Sequence, residues 1–246
     1  MQKKLAAIVL AAGRGKRMKS SQAKVLQPLS GKPLIDHVLR ALEPIRPDRL
    51  IVVVGFQAER VREACAGWQA EFVLQHKQLG TGHAVRQAET VLEDHAGDIL
   101  VLCGDMPFVK SATIFQLVET HRASGAVCTL LVLKTRKLND YGRVLRDGAG
   151  GVARIVEKAD AGARENSVDE FNSGVYCFNK GLLFKALADL GCDNAQNEFY
   201  LTDTIEYFAS RRLPLALVVT EDSDEIFGVN SPEDLQKAEH ILASRS

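Results

Sequence analysis

Short apolar runs of strand length alternate with amphipathic stretches through the first half of the chain, and this alternation limits the possible folds most strongly. The strand candidates are Leu5–Leu10, Leu50–Val54, Glu71–Leu74 and Ile99–Cys103, and the helix candidates are Pro33–Leu42, Gln57–Ala66, Gly82–Leu92 and Ala112–Arg122. Strands that alternate with helices in this way form βαβ units. The pattern therefore predicts an α/β protein with a Rossmann-like, mostly parallel central sheet that carries helices on both faces.

After about residue 126 the strand candidates follow one another with short polar or glycine-rich links. They are Val127–Leu133, Arg143–Arg146, Val152–Glu157, Val175–Phe178 and, after helices near Leu182–Leu190 and Leu201–Ser210, Leu215–Val219. Such links predict hairpins or added strands, which together form a β-rich lobe. A last helix is expected after Ser231, which can act as its N-cap, with Pro232 in the first helical position.

Charge and cysteine usage exclude several classes of protein. The 246 residues include 31 basic and 31 acidic side chains, a formal net charge of +0, which argues against a general nucleic-acid binder. No apolar run approaches the roughly 18 residues of a spanning helix, so no membrane partner is expected. The 5 cysteines contain no C-x-x-C pair and indicate reduced thiols, which favours a cytoplasmic protein.

The segment Leu10–Met18 directly follows the first strand and combines small residues with positive charge. Its glycines allow backbone N–H groups to approach a ligand. Because Met18 replaces the third glycine of G-x-G-x-x-G, the segment is not a dinucleotide fingerprint, and the chain has no P-loop either. A polyphosphate site is one interpretation, and a solvated basic loop is the other. The cations in and after this segment are Arg14, Lys16, Arg17, Lys19 and Lys24.

Polar residues at three other places are candidates for a site. Gln75–His83 offers two glutamines that suit a base edge, and a glycine-rich turn with a helix cap is the alternative. Asp105 follows a central strand candidate and could hold Mg²⁺ beside phosphates, or could form the turn before Pro107. Asn230 precedes the last helix and has an equally good structural explanation.

The second half carries further polar groups of the kind found around sugar hydroxyls. They occur in Tyr141-Gly142-Arg143, Glu157-Lys158 and Asn172-Ser173-Gly174, and each is more often structural when taken alone. The helix-opening segment Asn197–Asp203 is similarly ambiguous. No H-E-x-x-H or G-x-S-x-G motif is present, so neither a zinc protease nor a serine hydrolase is indicated.

Taken together and in order, these motifs resemble the sugar-phosphate nucleotidyltransferases, most closely the uridyltransferase domains of bifunctional bacterial enzymes that make UDP-N-acetylglucosamine. The resemblance extends from about residue 5 to residue 235. Besides the segments above it includes Lys24-Val25-Leu26, Gly31-Lys32-Pro33-Leu34, Gln78–Ala84, Gly104-Asp105-Met106-Pro107, Ile155–Lys158, Phe199–Asp203 and Gly228-Val229-Asn230.

The resemblance implies roles for the matching residues. Arg17 and Lys24 would face the triphosphate and act in catalysis, while Asp105 and Asn230 would hold Mg²⁺. Gly142, Glu157 and Asn172 would bind the sugar. The nucleotide would contact Leu10, Ala11, Ala12, Gly13, Gln75, Gly80, Thr81 and Gly104.

The resemblance also implies a domain organisation and an activity. We expect a single domain over residues 1–246, with a nucleotide-binding half to about residue 125, a sugar-binding half over about 126–230 and a terminal helix over 231–246. The substrates would be UTP and N-acetylglucosamine 1-phosphate. A different NTP and sugar 1-phosphate, or a nucleotide-binding module without turnover, are the alternatives.

The chain departs from the family pattern in three respects. Lys16 stands where the family commonly has Thr, and Gln27 stands where it commonly has His. The hexapeptide repeats of the family's β-helix acetyltransferase half are absent, so we expect no acetyltransferase activity from this chain, whether it is a stand-alone transferase or a shortened one. Because that half usually forms the trimer, the oligomeric state stays open.

Overall fold

The computed structural model describes residues 3–137 and 140–245, and they form an α/β fold. The strands are β1 Lys4–Ala11, β2 Pro28–Leu29, β3 Lys32–Pro33, β4 Arg49–Val54, β5 Glu71–Leu74, β6 Gly97–Cys103, β7 Cys128–Lys134, β8 Arg143–Arg146, β9 Val152–Val156, β10 Glu170–Asn179 and β11 Leu215–Thr220. The helices are α1 Leu34–Leu42, α2 Ala58–Ala64, α3 Thr81–Arg86, α4 Ser111–Ser124, α5 Lys180–Asp189, α6 Asp203–Ser210 and α7 Pro232–Ser244.

One mixed sheet of 9 strands runs through the molecule in the order β11-β7-β10-β6-β1-β4-β5, with β8 and β9 attached to β10. The pairs β1–β4, β1–β6, β4–β5 and β7–β11 are parallel, whereas β10 runs antiparallel to both β6 and β7. The predicted mostly parallel sheet is therefore confirmed.

Helices cover both faces of this sheet because the side chains of β1 alternate between two cores. Ala7 and Val9 contribute to a core that α1, α2 and α4 close, whereas Ala6 and Ile8 contribute to a core that α3, α5 and α6 close. Each strand of the centre is thus buried on both sides, as parallel sheets require. The carboxyl ends of β1, β4, β5 and β6 consequently lie along one edge of the sheet.

The hairpin expected from the glycine-rich link is present as β8 and β9. The Asp147 carboxylate accepts hydrogen bonds from the backbone N–H groups of Ala149 and Gly151, at 2.9 and 2.8 Å, and closes the turn. The other strands of the second half join the central sheet instead of a separate layer.

The continuous helix predicted over Gly82–Leu92 is wrong, because α3 ends at Arg86 and a 3₁₀ turn covers 90–92. The Gln87 side chain donates to the His83 carbonyl at 3.0 Å, which is the acceptor that the Gln87 N–H would use in an α-helix. The Gln87 N–H donates to Ala84 instead, and the helix tightens and stops. The helix predicted from Leu201 begins two residues later, at Asp203.

The C-terminal helix α7 packs on a third, smaller core. Ala238 lies there with Met18, Leu29 and Val229, so α7 contacts both the loop after β1 and the segment that leads to Asn230. Across the described residues, no helix combines the length and apolar character needed to cross a membrane.

Candidate active site

A cavity of about 230 Å³ opens at the edge of the sheet where β1, β5 and β6 end. Its wall includes nine of the residues that the sequence analysis predicts to bind the nucleotide, to bind the metal or to act in catalysis. Most of them lie at or after the carboxyl ends of neighbouring strands. The nine are Leu10, Ala11, Ala12, Gly13, Lys24, Gln75, Gly80, Thr81 and Asp105. The described part of the wall is completed by Val25, Gln78, Ala84, Cys103 and Glu198.

The loop after β1 presents backbone donors. Within residues 3–137 and 140–245, no protein group accepts a hydrogen bond from the backbone N–H groups of Gly13, Arg14 or Gly15. Gly15 has a φ of 69°, and a Cβ on it would lie 2.6 Å from Cβ of Lys24. Successive free N–H groups beside a cation form a site suited to an anion.

Lys24 connects the two residues predicted to hold the metal. Its Nζ donates to Oδ2 of Asp105 in a very short contact and to Oδ1 of Asn230 at 2.9 Å. The Asn230 Nδ2 donates to the Gly228 carbonyl at 3.1 Å, which turns Oδ1 towards Lys24. Two oxygens that lie far apart in the sequence therefore converge on one cation.

This pair of oxygens fits a magnesium ion. A carboxylate and a carboxamide oxygen are hard ligands, and here they already face a positive charge, the Lys24 ammonium. The described residues contain no group of three or more His, Cys, Asp and Glu that could hold a metal. Magnesium commonly takes only one or two carboxylates from a protein and completes its shell with phosphate oxygens and water, so the two ligands suffice.

Gln75 is oriented by its neighbours. Its Nε2 donates to the Gly80 carbonyl at 3.1 Å and lies 2.9 Å from Nδ1 of His83. Since a carbonyl can only accept, this contact fixes which end of the carboxamide faces Gly80 and leaves Oε1 as an acceptor for the cavity. Burial lowers the pKa of His83, which favours the neutral ring that can accept from Gln75.

The backbone around Gly80 and Thr81 is held by the segment that contains Glu198 and Leu201. Gly80 has a φ of 105°, and a Cβ on it would lie 2.6 Å from the Phe199 carbonyl. The Thr81 hydroxyl accepts from the Leu201 N–H at 3.0 Å, and its own hydrogen is available to a ligand. These residues therefore join the wall of the cavity to the start of α6.

Gly104 and Arg17 lie differently from the other predicted residues. The Gly104 N–H donates to the Leu10 carbonyl at 2.9 Å, so Gly104 allows two strand ends to pack closely beside the cavity. Arg17 is exposed and lines a neighbouring hollow of about 780 Å³ together with Asn230. Asn230 lies in that hollow and contacts Lys24, so the hollow that Arg17 lines adjoins the cavity, although Arg17 is not part of the cavity wall.

Gly142, Glu157 and Asn172 form a second cluster. The Asn172 N–H donates to the Gly142 carbonyl at 2.8 Å, and a Cβ on Gly142 would lie 3.4 Å from Oε2 of Glu157. Burial raises the pKa of Glu157, although the Thr202 hydroxyl, which donates to its Oε1 at 3.1 Å, favours the ionised form. Burial likewise raises the pKa of Asp203 to about 6, and the charge of Glu157 adds to this effect.

Cys103 and Glu198 line the cavity although the sequence analysis did not assign them to it. Burial raises the pKa of the Cys103 thiol to about 12, with further contributions from Asp105 and Glu157. The thiol donates to the Gly174 carbonyl at 3.9 Å, in the strand that carries Asn172. Burial raises the pKa of Glu198, and Lys16 opposes that shift. Glu198 lies in a segment that the sequence left ambiguous, and Cys103 ends an apolar run, which gave no signal of a site.

A family model and curated relatives match most of the chain. A family model described as the MobA-like NTP transferase domain matches residues 7–200. A protein named Bifunctional protein GlmU from Pelobacter propionicus is 48% identical over 98% of this chain and 53% of its own length. A second GlmU, from Syntrophomonas wolfei, is 41% identical over 98% of this chain and 54% of its own length. The chain thus spans about half the length of these curated relatives.

Solved structures share the fold at low sequence identity. A UDP-glucose pyrophosphorylase complexed with UDP-glucose superimposes with a TM-score of 0.78 at 16% identity, and the match covers 99% of this chain and 100% of the other. A putative glucose-1-phosphate thymidylyltransferase from Bacillus anthracis also gives 0.78, at 19% identity over 96% and 94%. The family model and the relatives agree, and the chain belongs to the MobA-like family of NTP transferases.

Proposed function

We propose that this chain transfers a uridylyl group from UTP to N-acetylglucosamine 1-phosphate. A phosphate oxygen of the sugar phosphate attacks the α-phosphorus of UTP in line. A new P–O bond forms as the bond to the bridging oxygen breaks, and pyrophosphate leaves with that electron pair. No protein nucleophile takes part, so the work of the protein is orientation and charge stabilisation.

The convergence of Lys24 on Asp105 and Asn230 carries this proposal. It joins a cation to two magnesium-type ligands beside a cavity whose wall includes Gly13, a residue with a free backbone N–H among the described contacts. Lys24 neutralises charge on the phosphates, and Arg17 meets the leaving pyrophosphate from the adjacent hollow.

Asp105 and Asn230 hold Mg²⁺ in this proposal. The ion, when bound, neutralises phosphate oxygens and so lowers the repulsion between two anionic substrates. Gln75 offers its Oε1, together with the backbone around Gly80, to the uracil base.

The second cluster binds the sugar. Glu157 accepts from sugar hydroxyls, and Asn172 contacts the acetamido group. Sequence similarity to proteins named GlmU, at 48 and 41% identity, supports the choice of nucleotide and sugar.

The test is release of pyrophosphate over a matrix of UTP, dTTP, ATP and GTP against the 1-phosphates of N-acetylglucosamine, glucosamine and glucose, with Mg²⁺. We expect turnover to be highest for UTP with N-acetylglucosamine 1-phosphate. If turnover is highest for another pair, that pair and not UTP with N-acetylglucosamine 1-phosphate is the substrate pair. Nucleotide binding without turnover of any pair would refute the proposed catalysis.

A further inference from the structure

An interruption in β10 brings Asn172 and Tyr176 together. The register of β10 on β7 shifts between these two residues, and Gly174 between them has a φ of 83°. In a regular strand, residues four apart lie too far from each other for a direct hydrogen bond between short side chains. Here the Tyr176 hydroxyl donates to Oδ1 of Asn172 at 2.8 Å.

The same oxygen accepts a second hydrogen bond. The Gly174 N–H donates to Oδ1 of Asn172 at 3.2 Å, so both lone pairs of that oxygen are used. Because a backbone N–H can only donate, this contact fixes which end of the Asn172 carboxamide faces the strand. Nδ2 must then face the opposite direction.

Nδ2 of Asn172 is the end that a ligand can reach. In the described part of the chain, no acceptor lies within hydrogen-bond distance of this nitrogen. The nitrogen is not among the fully buried polar atoms without a partner, so part of its surface is accessible to solvent. Gly142 and Glu157 adjoin Asn172. A Cβ on Gly142 would lie 3.4 Å from Oε2 of Glu157 and 3.5 Å from Cβ of Asn172, so the fixed amide and the carboxylate flank the same glycine.

The environment of Tyr176 holds its hydroxyl in place as a donor to Asn172. Its side chain is 2% exposed, and its ring packs 5.3 Å from the ring of Phe178. Burial raises the pKa of the Tyr176 hydroxyl well above the ordinary value, and the negative charge of Glu157 raises this pKa further. The hydroxyl consequently stays protonated and remains a donor to Asn172.

We propose that Tyr176 is a positioning residue that selects the sugar through Asn172. By holding Oδ1, it presents Nδ2 to the ligand, and a donor in this position favours a sugar substituent that accepts a hydrogen bond. The carbonyl oxygen of an acetamido group accepts, whereas a protonated amino group can only donate. The inference rests on the proposed function, since it assumes that Asn172 contacts the nitrogen-bearing substituent.

The test is Tyr176→Phe, which removes one hydroxyl and keeps the ring. We expect kcat/KM for N-acetylglucosamine 1-phosphate, divided by kcat/KM for glucosamine 1-phosphate, to fall roughly threefold to tenfold, the effect of one neutral hydrogen bond. KM for UTP should not change. Tyr207→Phe is the matched control, because the Tyr207 hydroxyl contacts only Asp189 among the described residues, at 2.9 Å between α5 and α6.

A double-mutant cycle separates positioning from a general structural effect. If Tyr176 acts through Asn172, Tyr176→Phe should have no further effect on sugar selection in an Asn172→Ala background. An unchanged ratio in Tyr176→Phe, an equal effect in Tyr207→Phe, or a full effect in the Asn172→Ala background would each overturn the inference.

Failure of the proposed function gives a different result. Lack of turnover by the unaltered enzyme would refute that function alone. Calorimetric binding of the two sugar phosphates, in the presence of a non-hydrolysable UTP analogue, would still measure the selection ratio in both tyrosine variants.

Discussion

At the scale of single residues, Lys24 has the largest number of separate roles in the site. It packs against Gly15 of the loop after β1 and donates to Asp105 and Asn230, which come from different parts of the chain. A methionine in its place would keep most of its volume and remove its charge, so its electrostatic contribution can be measured separately from its packing.

We expect Lys24→Met to lower kcat/KM, with a loss of transition-state stabilisation of about 2–4 kcal/mol. The reason is that the charge that develops on the phosphates in the transition state loses its counter-charge. Steady-state pyrophosphate release measures this loss. Lys185→Met, on the exposed face of α5, is the matched control and should retain full activity. Near-normal turnover in Lys24→Met would contradict the role of Lys24 in catalysis.

Asp203 should make stability depend on pH. Since its pKa is raised to about 6 from 3.8, mainly by burial, the neutral form is favoured in the folded state, and stability falls as pH rises through about 6. Asp203→Asn removes the cost of ionising a buried carboxyl. Its effect on the free energy of unfolding should therefore be more favourable at pH 8 than at pH 4, by on the order of 1–2 kcal/mol.

Thermal unfolding of wild type and Asp203→Asn at both pH values tests this prediction. Asp193→Asn, an exposed position, serves as control and should show little dependence on pH. An Asp203→Asn variant whose benefit is the same at pH 4 and pH 8 would show that Asp203 ionises without cost.

The sequence could predict the convergence of site residues because most of them follow strand ends. In a parallel sheet those ends share one edge, so Gly13, Gln75 and Asp105 had to lie near one another. Tyr176 could not be predicted in the same way. Its contact with Asn172 depends on a shift in strand register, and a shift leaves no periodic signal in the sequence.

At the scale of elements, α7 supports the site from outside. The Ser231 hydroxyl accepts from the Asp234 N–H at 3.2 Å, and the Asp234 carboxylate accepts from the Asn230 N–H at 3.1 Å. The start of the helix therefore orients the backbone of a proposed metal ligand. This cap was predicted from sequence, since Ser followed by Pro is a local signal.

Loss of the cap should weaken the whole fold modestly. We expect Ser231→Ala to lower the free energy of unfolding by about 1 kcal/mol, because the Asp234 N–H loses its acceptor. Urea denaturation measures the change. Ser244→Ala at the other end of α7 is the control, and equal midpoints for the two variants would contradict the capping role.

At the scale of the whole molecule, the edge of the sheet opposite the cavity carries a buried charge. Asp98, in β6, is 0% exposed and lies 2.5 Å from Nζ of Lys3 and 3.5 Å from His121 and Arg122. Burial alone would raise the pKa of Asp98, but hydrogen bonds from His121 and Lys3 outweigh burial and hold it below its ordinary value. The carboxylate is therefore ionised and stabilising at neutral pH.

We expect Asp98→Ala to lower the free energy of unfolding by about 2–3 kcal/mol at pH 7, because the buried His121 and the partly exposed Lys3 and Arg122 lose the carboxylate that they contact. The difference from wild type should shrink as pH falls below 3.8, where the carboxyl begins to be protonated. KM for UTP should not change, since Asp98 lies at the opposite end of β6 from Asp105.

Chemical denaturation over this pH range, with steady-state kinetics on the same samples, makes the comparison. Glu119→Ala, an exposed partner of Arg122 at 3.9 Å, is the control. A change in KM as large as the change in stability would contradict the separation of the two edges.

The order of strands has a consequence for how the polypeptide is made. β6 has β1 on one side and β10 on the other, and β10 ends only at Asn179. While the ribosome is still adding residues before β10, the segment Asp98–Val101 of β6 lacks the strand that pairs with it on its second side. We expect a nascent chain that pauses after α4 to expose this unpaired strand edge, which makes the chain prone to aggregation until β10 has been synthesised.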